Sequence, residues 1–199
     1  MTRAGIKTYG QVIHSFVSRT GDYALPNVKH GNTILPGFAP MTHPLNKFNE
    51  DNPCGLKFLD HCVGNVELNG MDKTVDWYEN VLEFSMFKHF DDADISTEYS
   101  ALMSKVMSSG GGLIKFPINE PAEGKRKSQI QEYLDWHNNT PGVQHLAFRT
   151  NDAIQSIAEL RRRGVNFLDI PKEYYEIVWD RVGDIDEEKK IVQDLGILI

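Results

Sequence analysis

The chain has 199 residues, 40% hydrophobic, 25% charged and 10% aromatic, a composition that excludes a disordered, collagen-like or solenoid chain and suffices for one large or two small domains. Basic residues number 21 against 28 acidic ones, a formal charge of −7, and no Lys/Arg cluster of the kind a phosphate backbone requires is present, so no nucleic acid partner is expected. No run approaches ~18 apolar residues, the opening MTRAGIKTYG lacks the apolar core of a signal peptide, and Cys54 and Cys62 are too few for a disulfide framework. A soluble cytoplasmic protein with free thiols and no membrane association is expected.

Thr8 to Val17 alternates apolar and polar residues at period two and reads as a strand ending at Ser18-Arg19-Thr20-Gly21. No partner strand follows it, so residues 1–21 are expected to be the last strand of a domain lying upstream. Residues 22–55 are rich in Pro, Asn, Gly and His, include Leu35-Pro36-Gly37-Phe38-Ala39-Pro40, and show no helical or strand period. They read as an interdomain linker.

From residue 56 the chain resembles itself. Leu59-Asp60-His61-Cys62-Val63-Gly64-Asn65-Val66 precedes a helical pattern, Met71 to Val81, and then Phe84-Ser85-Met86-Phe87. Val143-Gln144-His145-Leu146-Ala147-Phe148-Arg149-Thr150 precedes a second helical pattern, Ala153 to Arg163, and then Val165-Asn166-Phe167-Leu168. Each copy is strand, helix, strand with a His inside the first strand, and the two His lie 84 positions apart. Between the copies, strand-like runs at 98–107 and 113–118 flank a Gly110-Gly111-Gly112 turn. The first copy, 56–137, thus reads β-α-β-β-β. The second, 141–199, is expected to be incomplete: it continues past Tyr174-Tyr175 and a helical pattern at 186–195, then ends in Gly196-Ile197-Leu198-Ile199. Two such copies packed about a pseudo-two-fold axis would bring His61 and His145 together.

Paired imidazoles suit Zn, Fe, Ni or Cu, and two His with one carboxylate is the donor set of non-haem Fe(II) oxygenases. Glu67, Asp76, Glu98, Glu120 and Asp169 are available carboxylates, none at a repeat-equivalent strand position. The loop Asn119 to Gln129 contains Gly124-Lys125 but lacks the full phosphate-loop pattern. Ser104, Asn119, Gln129 and Gln144 are neutral hydrogen-bonding residues that could fix a substrate without competing for a metal. Cys62 points to the strand face opposite His61 and reads as a core thiol. His14, His30, His43, His89 and His137 share no spacing and read as surface or linker residues.

Several ordered motifs carry a resemblance over essentially the whole chain: Asp60-His61-Cys62-Val63-Gly64-Asn65-Val66, Ser104-Lys105-Val106, Phe116-Pro117-Ile118-Asn119-Glu120-Pro121, Lys127-Ser128-Gln129-Ile130-Gln131-Glu132-Tyr133-Leu134 and Gly142-Val143-Gln144-His145-Leu146-Ala147. Together they resemble the 4-hydroxyphenylpyruvate dioxygenase family. The resemblance implies an α+β, vicinal-oxygen-chelate fold of paired βαβββ modules, the second truncated, in a catalytic domain covering 56–199. It implies Fe(II) as cofactor, a 2-oxo acid substrate with O2, homogentisate and CO2 as products in tyrosine and phenylalanine catabolism, and a parent that is a homo-oligomer. Carried over by position, His61 and His145 match the iron-binding histidines, and Ser104, Val106, Pro117, Asn119, Gln129 and Gln144 match positions lining the substrate pocket. The family's third ligand, a Glu, would lie beyond Ile199, so the isolated chain is expected to bind iron weakly and to be inactive. Two alternatives stand beside this reading: 4-hydroxymandelate synthase, and a metal-free small-molecule binding module of the same fold, against which the His pair argues.

Overall fold

The first two strands, β1 (Thr2–Lys7) and β2 (Ile13–Ser18), form an antiparallel hairpin running from Thr2 opposite Ser18 to Lys7 opposite Ile13. Its turn is closed by Thr8 N–H donating to Val12 O and Val12 N–H to Tyr9 O. Gly10 turns there at φ 51, and a Cβ at that position would lie 2.3 Å from Pro141 O. The expected strand at 8–17 therefore begins only at Ile13, and its partner lies upstream. The sequence hid that partner because TRAGIK carries one large apolar residue, Ile6, and so shows no alternation.

The structure is a computed structural model that describes residues 1–24, 38, 43–90, 102–122 and 127–199. The expected strand residues 98–101, the Pro-rich run around Leu35-Pro36-Gly37 (Phe38 apart), the Gly124-Lys125 turn, His30 and Glu98 lie outside these. The chain divides into two compact units, Met1–Thr42 with Leu59–Phe148, and His43–Phe58 with Arg149–Ile199.

The first unit is built on a five-stranded sheet containing β3 (Leu56–Asn65), β4 (Ser85–Phe90), β5 (Leu102–Ser108), β6 (Lys115–Pro121) and β7 (Gly142–Thr150), in the order β4-β5-β6-β3-β7. Strands β4, β5 and β6 are an antiparallel meander, and β6 lies parallel to β3 with Gly64 opposite Ile118 and Asn65 opposite Asn119. The tight β5–β6 connection is held by Ser109 N–H donating to Ile114 O and Gly112 N–H to Ser109 O. With helix α2 (Met71–Leu82) between β3 and β4, the order β-α-β-β-β expected for the first copy is present.

Helix α2 buries Met71, Val75 and Tyr78, a spacing of four and three that stacks them on one face. They meet Tyr9, Val66, Met107 and Ile118 in one core. The N-terminus of α2 is tied to the sheet by buried Glu120, whose Oε2 accepts from Met71 N–H at 3.1 Å. Helix α3 (Gln129–Trp136) starts at Ser128, whose side chain accepts from Ile130 N–H, and lies against β6, burying Ile130 and Leu134 apart from the α2 cluster.

The second unit is helical where described: α1 (Leu45–Asp51), α4 (Ala153–Arg162), α5 (Lys172–Val182) and α6 (Lys189–Asp194). Its core joins Tyr175, Val178 and Val192 with Ile154, Ile170, Trp179 and Ile197. Helix α1 lies within the stretch read as lacking any helical period. Seven residues are too short to show one, and the helix is held by Arg163, which stacks over Phe48 at 5.2 Å and donates to Asn49 Oδ1 at 3.0 Å. The strand expected at Val165-Asn166-Phe167-Leu168 is not formed. After α4 the chain turns at Gly164 (φ 87), Val165 N–H donates to Leu160 O, Phe167 lies beneath the Arg161 guanidinium, and Leu168 is 85% exposed. An apolar run becomes a strand only where a partner edge accepts its backbone hydrogen bonds. None of 165–168 is paired to a strand.

His14 also departs from the surface role expected of it. It packs among Trp77, Tyr78 and Phe116, and its Nε2 is hydrogen-bonded to the Tyr78 hydroxyl at 2.7 Å.

Two outcomes test this packing. Glu120→Ala strips the buried cap from α2 and is expected to lower the unfolding free energy by ~1–3 kcal/mol in urea melts, with Glu120→Gln, which keeps an acceptor, losing less. Burial holds the His14 pKa below the ordinary histidine value, so between the two pKa values the unfolded chain binds the extra proton. The His14 contribution is then complete above ~6.5 and is lost as pH falls through the folded pKa. Melts from pH 8 to 5 should show that loss in the wild type and a flatter profile in His14→Gln.

Candidate metal centre

Alternation along the paired strands decides what shares a face with His61. From the β3–β6 register, His61, Val63 and Asn65 stand with Pro117 and Asn119, and the β5–β6 register adds Val106 opposite Pro117 and Ser104 opposite Asn119. Met107, Ile118, Gly64 and Val66 occupy the other face, toward α2. Four of the six residues expected to line a substrate pocket, Ser104, Val106, Pro117 and Asn119, are thus neighbours on the His61 face, three of them buried. Gln129 is the exposed first residue of α3, and Gln144 sits half-buried in β7.

His145, on β7, meets His61 with ring centroids 6.1 Å apart in an edge-on arrangement. Each ring is held at the same atom by the residue before it in sequence. His61 Nδ1 lies 2.9 Å from Asp60 Oδ2, and His145 Nδ1 lies 2.8 Å from Gln144 Oε1. Both partners accept, so the neutral form of each imidazole would carry its proton on Nδ1 and keep the Nε2 lone pair. Lys115 Nζ donates to the second Asp60 oxygen, Oδ1, at 2.9 Å. Hydrogen bonds from His61 and Lys115 hold the Asp60 carboxyl below its usual pKa. Burial, and secondarily the nearby His61, hold His145 below the ordinary histidine value. Paired imidazole nitrogens are a donor set that suits a first-row transition metal.

Among the described residues no group of three or more His, Cys, Asp or Glu is placed to hold a metal. Of the carboxylates weighed from sequence, Glu120 caps α2 on the opposite face, Glu67 and Asp76 line a cleft of about 460 Å³ beside Thr8 and Trp77, and Asp169 is exposed in the second unit. Glu98 is outside the described residues. Cys62 takes the face expected of it, its thiol pushed up by burial.

Sequence reasoning missed three residues at this site: Asp60, Lys115 and Asn65. Asp60 had a signal, because a polar residue precedes the His in both copies of the repeat. Lys115 and Asn65 had none, since their placement follows from strand register. Asn65 is fully buried, its Oδ1 accepting from Asn119 Nδ2 at 3.4 Å, and its own Nδ2 has no partner among the described residues. Replacing His61 by Ala is expected to move the His145 pKa up toward the ordinary histidine value, as read by 15N NMR titration. An unmoved pKa would mean that the two rings do not sense each other.

Residues 59–177 match the Glyoxalase/Bleomycin resistance protein/Dioxygenase superfamily. The chain is 47% identical over 178 residues to the 4-hydroxyphenylpyruvate dioxygenase of Tetrahymena thermophila, covering 88% of this chain and 41% of that protein. It is 41% identical to the enzyme of the same name from Yarrowia lipolytica, covering 100% of this chain and 50% of the relative. The chain thus spans about half the length of the curated relatives it matches. A solved variant of 4-hydroxymandelate synthase from Streptomyces coelicolor shares the fold at a TM-score of 0.66 and 24% identity, covering 98% of this chain and 51% of that one. No helix among the described residues is long and apolar enough to cross a membrane. The repeat, the β-α-β-β-β order and the match across 59–177 have one source: the chain belongs to the Glyoxalase/Bleomycin resistance protein/Dioxygenase superfamily.

Proposed function

We propose that this chain carries two metal ligands, His61 and His145, and much of the substrate pocket of a dioxygenase that converts 4-hydroxyphenylpyruvate and O2 to homogentisate and CO2. The observation that carries the reading is the meeting of two strand histidines, each with Nδ1 engaged and Nε2 free to donate. The identity of 41–47% to curated enzymes of that name supports it. The metal is Fe(II), which when bound supplies a Lewis acid for the 2-oxo acid and the electrons for O2. The site belongs to a cytoplasmic homo-oligomer.

The chain's own residues bind and orient. Ser104, Asn119, Gln129 and Gln144 present neutral hydrogen-bonding groups, which hold a polar substrate without adding a competing anion or cation. Val106 and Pro117, opposite each other in the register, offer an apolar wall for an aromatic ring. Gln144 gives Oε1 to His145 and retains its amide Nε2 to donate to the substrate, which couples ring placement to substrate placement.

Protein carrying this chain, supplied with Fe(II), O2 and 4-hydroxyphenylpyruvate, is expected to release homogentisate and CO2. His61→Ala and His145→Ala are each expected to weaken Fe(II) binding beyond the ~10–100-fold typical of losing an outer-shell partner. Hydroxymandelate as product would select the synthase reading. Unchanged ligand affinity in both variants would select a metal-free binding module.

A further inference from the structure

The chain Lys115–Asp60–His61 is more than a surface ion pair. Lys115, Asp60 and His61 side chains are 24%, 26% and 31% exposed, so solvent competes only in part. Both Asp60 oxygens are occupied, Oδ1 by the Lys115 ammonium and Oδ2 by the His61 ring, each at 2.9 Å. That occupancy makes Asp60 an acceptor for the ring rather than a ligand beside it. A carboxylate bonded to the remote nitrogen of a metal-binding imidazole fixes the tautomer, sets ring orientation and raises the basicity of the donor nitrogen.

We propose that Asp60, held in place by Lys115, is the positioning residue of His61. It accepts the Nδ1 proton so that the ring stands as the Nδ1–H tautomer with Nε2 presented to a metal. The inference rests on the metal-binding reading of the His pair. Gln144 makes the equivalent contact to His145 from the equivalent repeat position, with a neutral amide in place of a carboxylate. The two copies therefore supply unequal donors: His61 is backed by an anion and is the stronger, while His145 is backed by a dipole and is the weaker. Lys115 connects the first donor to the start of β6, the strand that also carries Pro117 and Asn119. The position of His61 is thereby tied to the wall of the pocket.

The test has two readouts, one of which needs no metal. In metal-free protein, 15N spectra are expected to show His61 as the Nδ1–H tautomer in the wild type. Asp60→Ala should redistribute the proton between the ring nitrogens, and Asp60→Asn, which keeps one acceptor oxygen, should restore much of the wild-type pattern. Anaerobic titration with Fe(II) alone should give affinity ~10–100-fold weaker in Asp60→Ala than in the wild type, with a smaller loss in Lys115→Met. If Asp60→Ala does not fold, Asp60→Asn and Lys115→Met carry the same readouts. An Nδ1–H tautomer that survives in Asp60→Ala, with Fe(II) affinity within about twofold of wild type, overturns the proposal, since outer-shell partners of this kind exceed that effect. A wild-type protein that binds no Fe(II) would instead overturn the metal-binding reading and leave the tautomer comparison to decide the role of Asp60.

Discussion

The parallel pairing of β6 with β3, Gly64 opposite Ile118 and Asn65 opposite Asn119, sorts the first unit into core and site. Successive side chains of a strand point to opposite faces, so a slip of one residue would exchange the two sets completely. In the observed register Ile118, Met107 and Val66 are buried against α2 while Asn119, Ser104 and His61 are displayed on the other side. The apolar burial that stabilises the unit is therefore the same event that assembles the polar face. Glu120 works from the core side, joining β6 to the first turn of α2.

The back of β3 is fixed by a close approach as well as by burial. A Cβ on Gly64 would stand 2.1 Å from the Tyr9 hydroxyl, so only glycine lets the hairpin turn lie against the strand. Burial pushes the Tyr9 phenol up to about 12, so it remains a neutral, well-packed group. Tyr78 lies between this turn and His14, and the three link the N-terminal hairpin to the helix that covers the sheet. The residues on either side of Gly64 are Val63 and Asn65, both on the His61 face. Packing behind the strand thus limits how far the front can move.

Much of this was legible in the sequence, where a strong period coincided with a repeated residue. Helix α2 was expected at 71–81 and runs to Leu82, and the strand-helix succession around His61 recurs around His145. What escaped was whatever depends on partners distant in sequence. Strand β1 carries only one large apolar residue and exists because β2 pairs with it, while Val165 to Leu168 is mostly apolar and forms no strand because it pairs with none among the described residues. His14 looked like a surface residue because its aromatic neighbours, Trp77, Tyr78 and Phe116, come from two other elements. Lys115 was invisible as a site residue for the same reason, being 55 positions from the carboxylate it holds.

Charge at the histidine pair is set by the groups beside it. Asp60 is balanced by Lys115, and burial and the nearby His61 hold His145 below its ordinary pKa. The Asp60 and Lys115 charges cancel, so that pair adds no net charge beside the two rings. A divalent ion bound there keeps its full charge in a partly desolvated setting, where opposite charges attract more strongly than in water. Anionic oxygen donors are what such an ion draws in to complete its coordination. Ser104, Asn119 and Gln144, all neutral, would leave that attraction uncontested.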